Sequence, residues 1–156
     1  EKVLQKVDFP ILVKEVGQGF GPKSMEVLLS LDIAGIEFGA FGGTNFAQME
    51  LYRSNDIMQK LLGPLATVGH SAEEMVEMIN VLPKAKLENK EIINSGGVSD
   101  WLEGYYLMQK IKYPAIFGQA SAFLKYSQGD YKELYNYVLN LKKGLLLAQT
   151  YLSIKE

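Results

Sequence analysis

The chain has 156 residues, of which 47% are hydrophobic, with 16 Lys and Arg against 18 Asp and Glu for a formal net charge of −2. That length suits one domain with a proper core, and the charge balance gives no basic footprint for nucleic acid. With no cysteine and no apolar run near the ~18 residues of a membrane helix, a disulfide framework, a Cys-ligated metal centre and a membrane-spanning helix are excluded, and a cytoplasmic protein is expected.

The chain opens at Glu1 in what reads as the middle of a helix, so a fragment of a longer protein is expected. Val3, Leu4 and Val7 have the spacing of the last turns of an amphipathic helix, which Pro10 ends. Ile11-Leu12-Val13-Lys14-Glu15-Val16 is a β-branched run between Pro10 and Gly17 and predicts a buried strand. Gly17 to Pro22 reads as a loop, and Lys23 to Ile33 as a helix. A second strand, Ile36-Glu37-Phe38, leads into Gly39-Ala40-Phe41-Gly42-Gly43-Thr44-Asn45. Glycines there let the backbone approach a ligand closely, and N–H groups at a following helix start favour anions.

From Phe46 to Leu62 the pattern is helical but interrupted, and Gly63-Pro64 breaks it. Ser71 and Glu74 form a capping box for the helix that carries Met75, Val76, Met78 and Ile79. Pro83 to Asn89 reads as a polar connection. A third strand, Glu91 to Asn94, runs into Ser95-Gly96-Gly97-Val98, and Trp101 to Ile111 is the next helix. A fourth strand, Ala115-Ile116-Phe117, ends in Gly118-Gln119-Ala120-Ser121. Tyr131 to Ile154 is a long helix with Gly144 as a weak point.

Strands alternating with helices predict βαβ units and a parallel sheet. Each strand is followed by a glycine loop, at Gly17, Gly39, Gly96 and Gly118, and ligands of parallel α/β folds collect at those carboxyl ends. Two folds fit. A doubly wound sheet would carry G-x-G-x-x-G after its first strand, and Gly17-Gln18-Gly19-Phe20-Gly21 lacks that spacing. A TIM-type (β/α)8 barrel places phosphate in the loops after its last two strands, which suits Ser95-Gly96-Gly97 and Gly118-Gln119-Ala120-Ser121 if these are strands five to eight. The expected organisation is one domain over residues 1–156, a partial barrel with 131–154 as a C-terminal helical extension.

Val13-Lys14-Glu15-Val16-Gly17, Gly42-Gly43-Thr44-Asn45-Phe46, Ser95-Gly96-Gly97-Val98 and Gly118-x-Ala120 together resemble the carboxyl-terminal half of type 2 isopentenyl-diphosphate isomerase. The resemblance runs from the first residues to about Leu124. It implies an FMN-dependent (β/α)8 barrel, usually a homotetramer, that interconverts isopentenyl and dimethylallyl diphosphate with reduced flavin and Mg²⁺, NADPH keeping the flavin reduced. Lys14 resembles the lysine that reaches the flavin ring near N1 and the C2 carbonyl. Gly39 stands where the family often has a serine and offers backbone alone. Thr44 resembles an FMN-binding threonine. Gly96, Gly97 and Val98, with Ala120 and Ser121, resemble the cradle of the FMN phosphate, although the family often has a charged or bulky residue where Ser121 stands. The family's diphosphate-binding basic residues, its proton-transferring glutamine and its Mg²⁺-binding glutamate precede the Val-Lys-Glu strand. The expectation is therefore an FMN-binding piece with no catalytic residue and no metal ligand of its own, inactive alone.

An FMN-dependent 2-hydroxy-acid oxidoreductase needs a base and an arginine, and the turn Phe41 to Asn45 carries neither His nor Arg. A non-catalytic phosphate-binding half-barrel is the remaining alternative. Lys14 reads as a ligand rather than a solvated lysine, and Glu15 as pointing to the opposite face of the strand. His70, the single histidine, reads as structural beside Ser71; Glu73-Glu74 as first-turn charges facing a helix dipole; Glu50 as a solvated face; and Trp101, Tyr131, Tyr135 and Tyr137 as packing residues.

Overall fold

The computed structural model describes residues 1–155. Four parallel strands, β1 (Leu12–Lys14), β2 (Gly35–Glu37), β3 (Glu91–Ser95) and β4 (Ala115–Gly118), form one sheet in the order β1-β2-β3-β4. Val13 lies beside Ile36, Ile36 beside Ile92, and Ser95 beside Gly118. A doubly wound sheet reverses its strand order at a switch point; this sheet has no reversal, and each crossover returns the chain to the next strand along.

The helices are α1 (Pro22–Leu29), α2 (Phe46–Arg53), α3 (Asp56–Leu62), α4 (Ala72–Asn80), α5 (Trp101–Lys110), α6 (Ser121–Ser127) and α7 (Tyr131–Tyr151). The capping box on α4 is present, with Ser71 Oγ accepting from Glu74 N and the Glu74 carboxylate accepting from Ser71 N. Asn45 and Asn55 cap α2 and α3 through their side-chain oxygens alone, accepting from Gln48 N and Met58 N, which explains the interruption inside residues 46–62: a second N-cap restarts the helix there.

Side-chain alternation splits the sheet into two unlike faces. Ile36, Phe38 and Ile92 are fully buried against Met25 and Leu29 of α1, Met75, Val76 and Ile79 of α4, and Leu107 of α5. Asn94 shares that face and is fully buried, yet its side-chain amide has no hydrogen-bond partner among the described residues. The opposite face carries Leu12, Lys14, Glu37, Ile93 and Ile116, with Leu12 51% and Ile116 58% exposed.

Several expectations are corrected. Residues 1–7 hold one 3-10 turn, Leu4–Lys6, and no α-helix; only Leu4 packs on the core, too little contact to hold a helix this short. The strand expected over Ile11 to Val16 shrinks to three residues with a half-exposed outer face, so it is a short edge strand and not a buried one. Gly63-Pro64 does not stop the chain's winding but opens a 3-10 turn, Gly63–Thr67, with proline in its first turn, where no N–H is required. A further 3-10 turn, Lys84–Lys86, lies within the polar connection, and α6 was not expected. The last helix ends at Tyr151. It runs straight through Gly144, which is buried against α5. Among the described residues no helix is long and apolar enough to cross a membrane.

Candidate functional site

The loops after all four strands meet at one end of the sheet around a cleft of about 360 Å³. Lys14, Gly39, Thr44, Gly96, Gly97, Val98, Ala120 and Ser121 all line it. The sequence motifs therefore lie together in space although they span more than a hundred residues. Parallel strands in sequential order leave no other place for these loops, since every carboxyl end lies on the same rim.

The first wall is built by Glu15. Its carboxylate Oε2 accepts hydrogen bonds from Gly17 N at 2.8 Å, Gln18 N at 2.6 Å and Gly19 N at 2.7 Å. The pairing runs on past Lys14, since Glu15 N donates to Glu37 O at 3.1 Å. Glu15 shares a hollow with Val13 and residues of α1, the face opposite Lys14 that alternation gives it, while its backbone borders the cleft at Gly39. Its charge is spent on three backbone N–H groups of a glycine loop. That loop abuts the next one: a Cβ on Gly17 would lie 2.5 Å from Asn45 Cα, and Phe46 N donates to Val16 O at 3.1 Å.

Lys14 and Glu37 are register partners on β1 and β2 and form an ion pair at the cleft's edge. Both line the cleft. Among the described residues around it Lys14 is the single cation, and there is no His or Arg. Gly39 follows Glu37 in the left-handed region, φ +51°, where a side chain would run into the Glu15 backbone. Its N–H donates to Ser95 Oγ at 3.1 Å, which ties the turn after β2 to the end of β3.

Opposite stand Gly96 and Gly97, with φ of +89° and +75°. A Cβ on Gly96 would overlap Ala40, and one on Gly97 would approach Phe41 O at 3.1 Å, so glycine is required for the two loops to nest. Among the described residues none accepts a hydrogen bond from the N–H groups of Gly97, Val98 or Ala120. Unpaired N–H groups on neighbouring small-residue loops make an anion-binding concavity. Ser121, expected at the end of a loop, is instead the first residue of α6.

The remaining candidates fall as follows. His70 is half-buried and ties loops together through its backbone, accepting from Phe41 N at 2.9 Å and donating to Gln18 O at 2.7 Å. Glu50 pairs with Arg53 on the exposed side of α2, and Trp101 packs on Gly144. Tyr131 and Tyr135 are exposed. Tyr137 is half-buried, and burial, with Tyr126 and Asp100 nearby, pushes its hydroxyl above the ordinary tyrosine range. Sequence reasoning missed Glu37 as a cleft residue, and it placed Ser95 and Gln119 in the phosphate loops without giving either a role. Glu37 carried a signal, a carboxylate at a strand end next to marked positions; Gln119 was marked by its loop, but nothing in the sequence showed which groups its amide meets.

No protein-family model matches the chain. Curated relatives do. The isopentenyl-diphosphate delta-isomerase of Rickettsia rickettsii is 29% identical over 126 residues, 80% of this chain and 35% of that protein. The proteins of the same name from Rickettsia conorii and Rickettsia akari are 29% and 28% identical over the same shares. The chain thus spans about a third of the length of the curated relatives it matches.

Proposed function

We propose that the chain is the FMN-handling part of an isopentenyl-diphosphate isomerase of the flavin-dependent type, with β1 to β4 as the last four strands of a (β/α)8 barrel. One observation carries the reading: all eight residues marked by the motifs line a single cleft at the carboxyl ends of a sequentially ordered parallel sheet. The names of the relatives support the reaction class.

The residues fit a flavin mononucleotide. Its phosphate suits the Gly97, Val98 and Ala120 N–H groups, and Gly96 and Gly97 let their loop nest against Ala40 and Phe41. Lys14 brings a cation to the opposite side, and Glu37 holds that ammonium in place. Thr44 adds a hydroxyl, and Gly39 offers backbone alone. When bound, reduced flavin supplies the ring chemistry that moves a proton on the isoprenyl chain. This chain's own part is to bind and orient that group and to keep a positive charge beside it. Interconversion of isopentenyl and dimethylallyl diphosphate, the Mg²⁺ and NADPH requirements, a cytoplasmic setting and a homo-oligomer of the tetrameric kind belong to the same proposal. Among the described residues no group of three His, Asp or Glu side chains is placed to hold a metal, so no Mg²⁺ ligand is assigned here.

The test is to express a protein carrying this chain together with the segment that its longer relatives have, reduce it anaerobically with FMN and Mg²⁺, and assay isopentenyl diphosphate. Conversion to dimethylallyl diphosphate is expected. Bound, reduced flavin without isomerisation overturns the reading. The chain by itself is expected to bind FMN weakly, so submicromolar affinity in a flavin-fluorescence titration would contradict its being a partial site.

A further inference from the structure

Gln119 lies between Gly118 and Ala120 in the cleft wall, and both ends of its amide are engaged. Its Nε2 donates to the carbonyl oxygen of Val98 at 3.4 Å, in the loop after β3. Its Oε1 accepts from the Tyr137 hydroxyl at 3.0 Å, on α7. Tyr137 is itself fixed: its ring stacks on Tyr126 at 4.5 Å and meets the edge of Phe123 at 5.2 Å, both on α6.

This arrangement solves a problem that the cradle poses. Val98 and Ala120 belong to separate loops; the Val98 side chain is anchored in the core, whereas Ala120 has no place in it. Two N–H groups on separate loops grip one anion only if the spacing between the loops is held. A hydrogen bond across the gap does that. The Val98 carbonyl, which can only accept, sets which end of the amide faces which loop, and the Tyr137 hydroxyl then donates to the other end. With Oε1 turned to Tyr137, the NH₂ group faces the Val98 carbonyl; the flipped amide would set two oxygens against each other.

We propose that Gln119 and Tyr137 are positioning residues of the anion cradle: they clamp the loop after β3 to the loop after β4, so that the carboxyl-terminal helix becomes part of the binding site. The proposal rests on the reading of these loops as a phosphate cradle.

The experiment uses the ¹⁵N-labelled full chain, titrated by NMR with FMN and separately with riboflavin, which lacks the phosphate. Tyr137→Phe keeps the stacked ring and removes only the hydroxyl; its FMN affinity is expected to fall about fivefold, the size of one neutral hydrogen bond. Gln119→Leu is expected to lose about tenfold, and the double variant no more than that, since both act through one contact. Riboflavin affinity should stay unchanged. Backbone order parameters at Val98 and Gln119, measured without ligand, should fall from the rigid value of about 0.85 in both variants. Unchanged FMN affinity in Tyr137→Phe overturns the clamp, as does an equal loss for riboflavin. Should the unaltered chain bind neither ligand, the cradle reading fails, and the order parameters decide the clamp: a fall upholds it and constancy removes it.

Discussion

Gly144, in the middle of the 21-residue α7, lies directly on the indole of Trp101 at the start of α5, with no space for a Cβ between them. Glycine usually weakens a helix interior by about 1 kcal/mol relative to alanine. Here the contact outweighs the propensity. The close approach is what lets α7 lie on α5 and carry Tyr137 to Gln119 behind the cleft wall. Gly144→Ala is expected to lower stability by about 1–2 kcal/mol, as overpacking that exceeds the gain in helix propensity. A thermal melt checks it, and a raised midpoint would show that the helices part without cost.

Asn94 poses the opposite case, a polar side chain in a space that apolar groups could fill. It is fully buried on the face shared with Ile92, and neither end of its amide is bonded among the described residues. An unpaired buried amide costs about 1–3 kcal/mol. Asn94→Val, close in volume and suited to a strand, is expected to raise stability by about 1 kcal/mol, read as a higher urea midpoint at constant slope. A lower midpoint would mean that the amide is bonded within the core, a buried water being the partner of the right size.

Much of the site was legible in the sequence because the information is local. Glycines after each strand mark loops, and parallel strands in sequential order must bring those loops to one rim, so Lys14, Gly39, Thr44, Gly96 and Ala120 fall together without any knowledge of packing. The capping box at Ser71 was legible for the same reason. Glu15 was not. Its side of the strand follows from alternation, but its role does not: the three N–H groups that claim its carboxylate come from a loop conformation. Gln119 and Tyr137 stand 18 residues apart and meet only because α7 folds back over α6. The short helix α6 hid behind the glycine signal at Gly118, although Phe123, Tyr126 and Ser127 have helical spacing before Gly129.

Glu15 gives a prediction that separates its two candidate uses. Were it a solvated carboxylate, its loss would be nearly neutral. Charge-assisted bonds to Gly17, Gln18 and Gly19 make it a structural anchor of the first wall. Glu15→Ala is expected to cost about 2 kcal/mol in denaturant unfolding, discounted from the sum of three bonds because the group is only part-buried. Glu15→Gln, which retains one acceptor oxygen, should recover part of that loss. Equal stability of all three proteins would remove the anchor.

Lys14 yields a prediction for the flavin-loaded protein. A cation beside the ring favours the anionic reduced form, so its removal disfavours that form. Lys14→Ala is expected to raise the N1 titration of the reduced flavin while leaving the phosphate-dependent part of FMN affinity within about twofold. Comparing FMN with riboflavin isolates that part. An unchanged N1 titration would take Lys14 away from the ring and leave it as Glu37's partner alone.

The last prediction concerns acid. Lys110 reaches across from α5 to α4, 2.6 Å from Glu73 and 2.7 Å from Glu77, and the Tyr106 hydroxyl adds a bond to Glu73 at 2.5 Å. Hydrogen bonds from Lys110 and Tyr106 hold Glu73 below the ordinary carboxylate range, Lys86 does the same to Glu26, and the Ser71 N–H and hydroxyl do so to Glu74. A carboxylate whose folded value is depressed adds stability above its unfolded value, near 4.3, and that stability is lost as pH falls through the lower folded value. Urea midpoints should therefore hold from pH 7 to about pH 5 and decline below it. All three groups are solvent-facing, so each effect is small and shrinks with salt. Lys110→Met should flatten the decline between pH 4.5 and 3 by removing the largest cause on Glu73, and an undiminished slope in that variant would assign the acid sensitivity elsewhere.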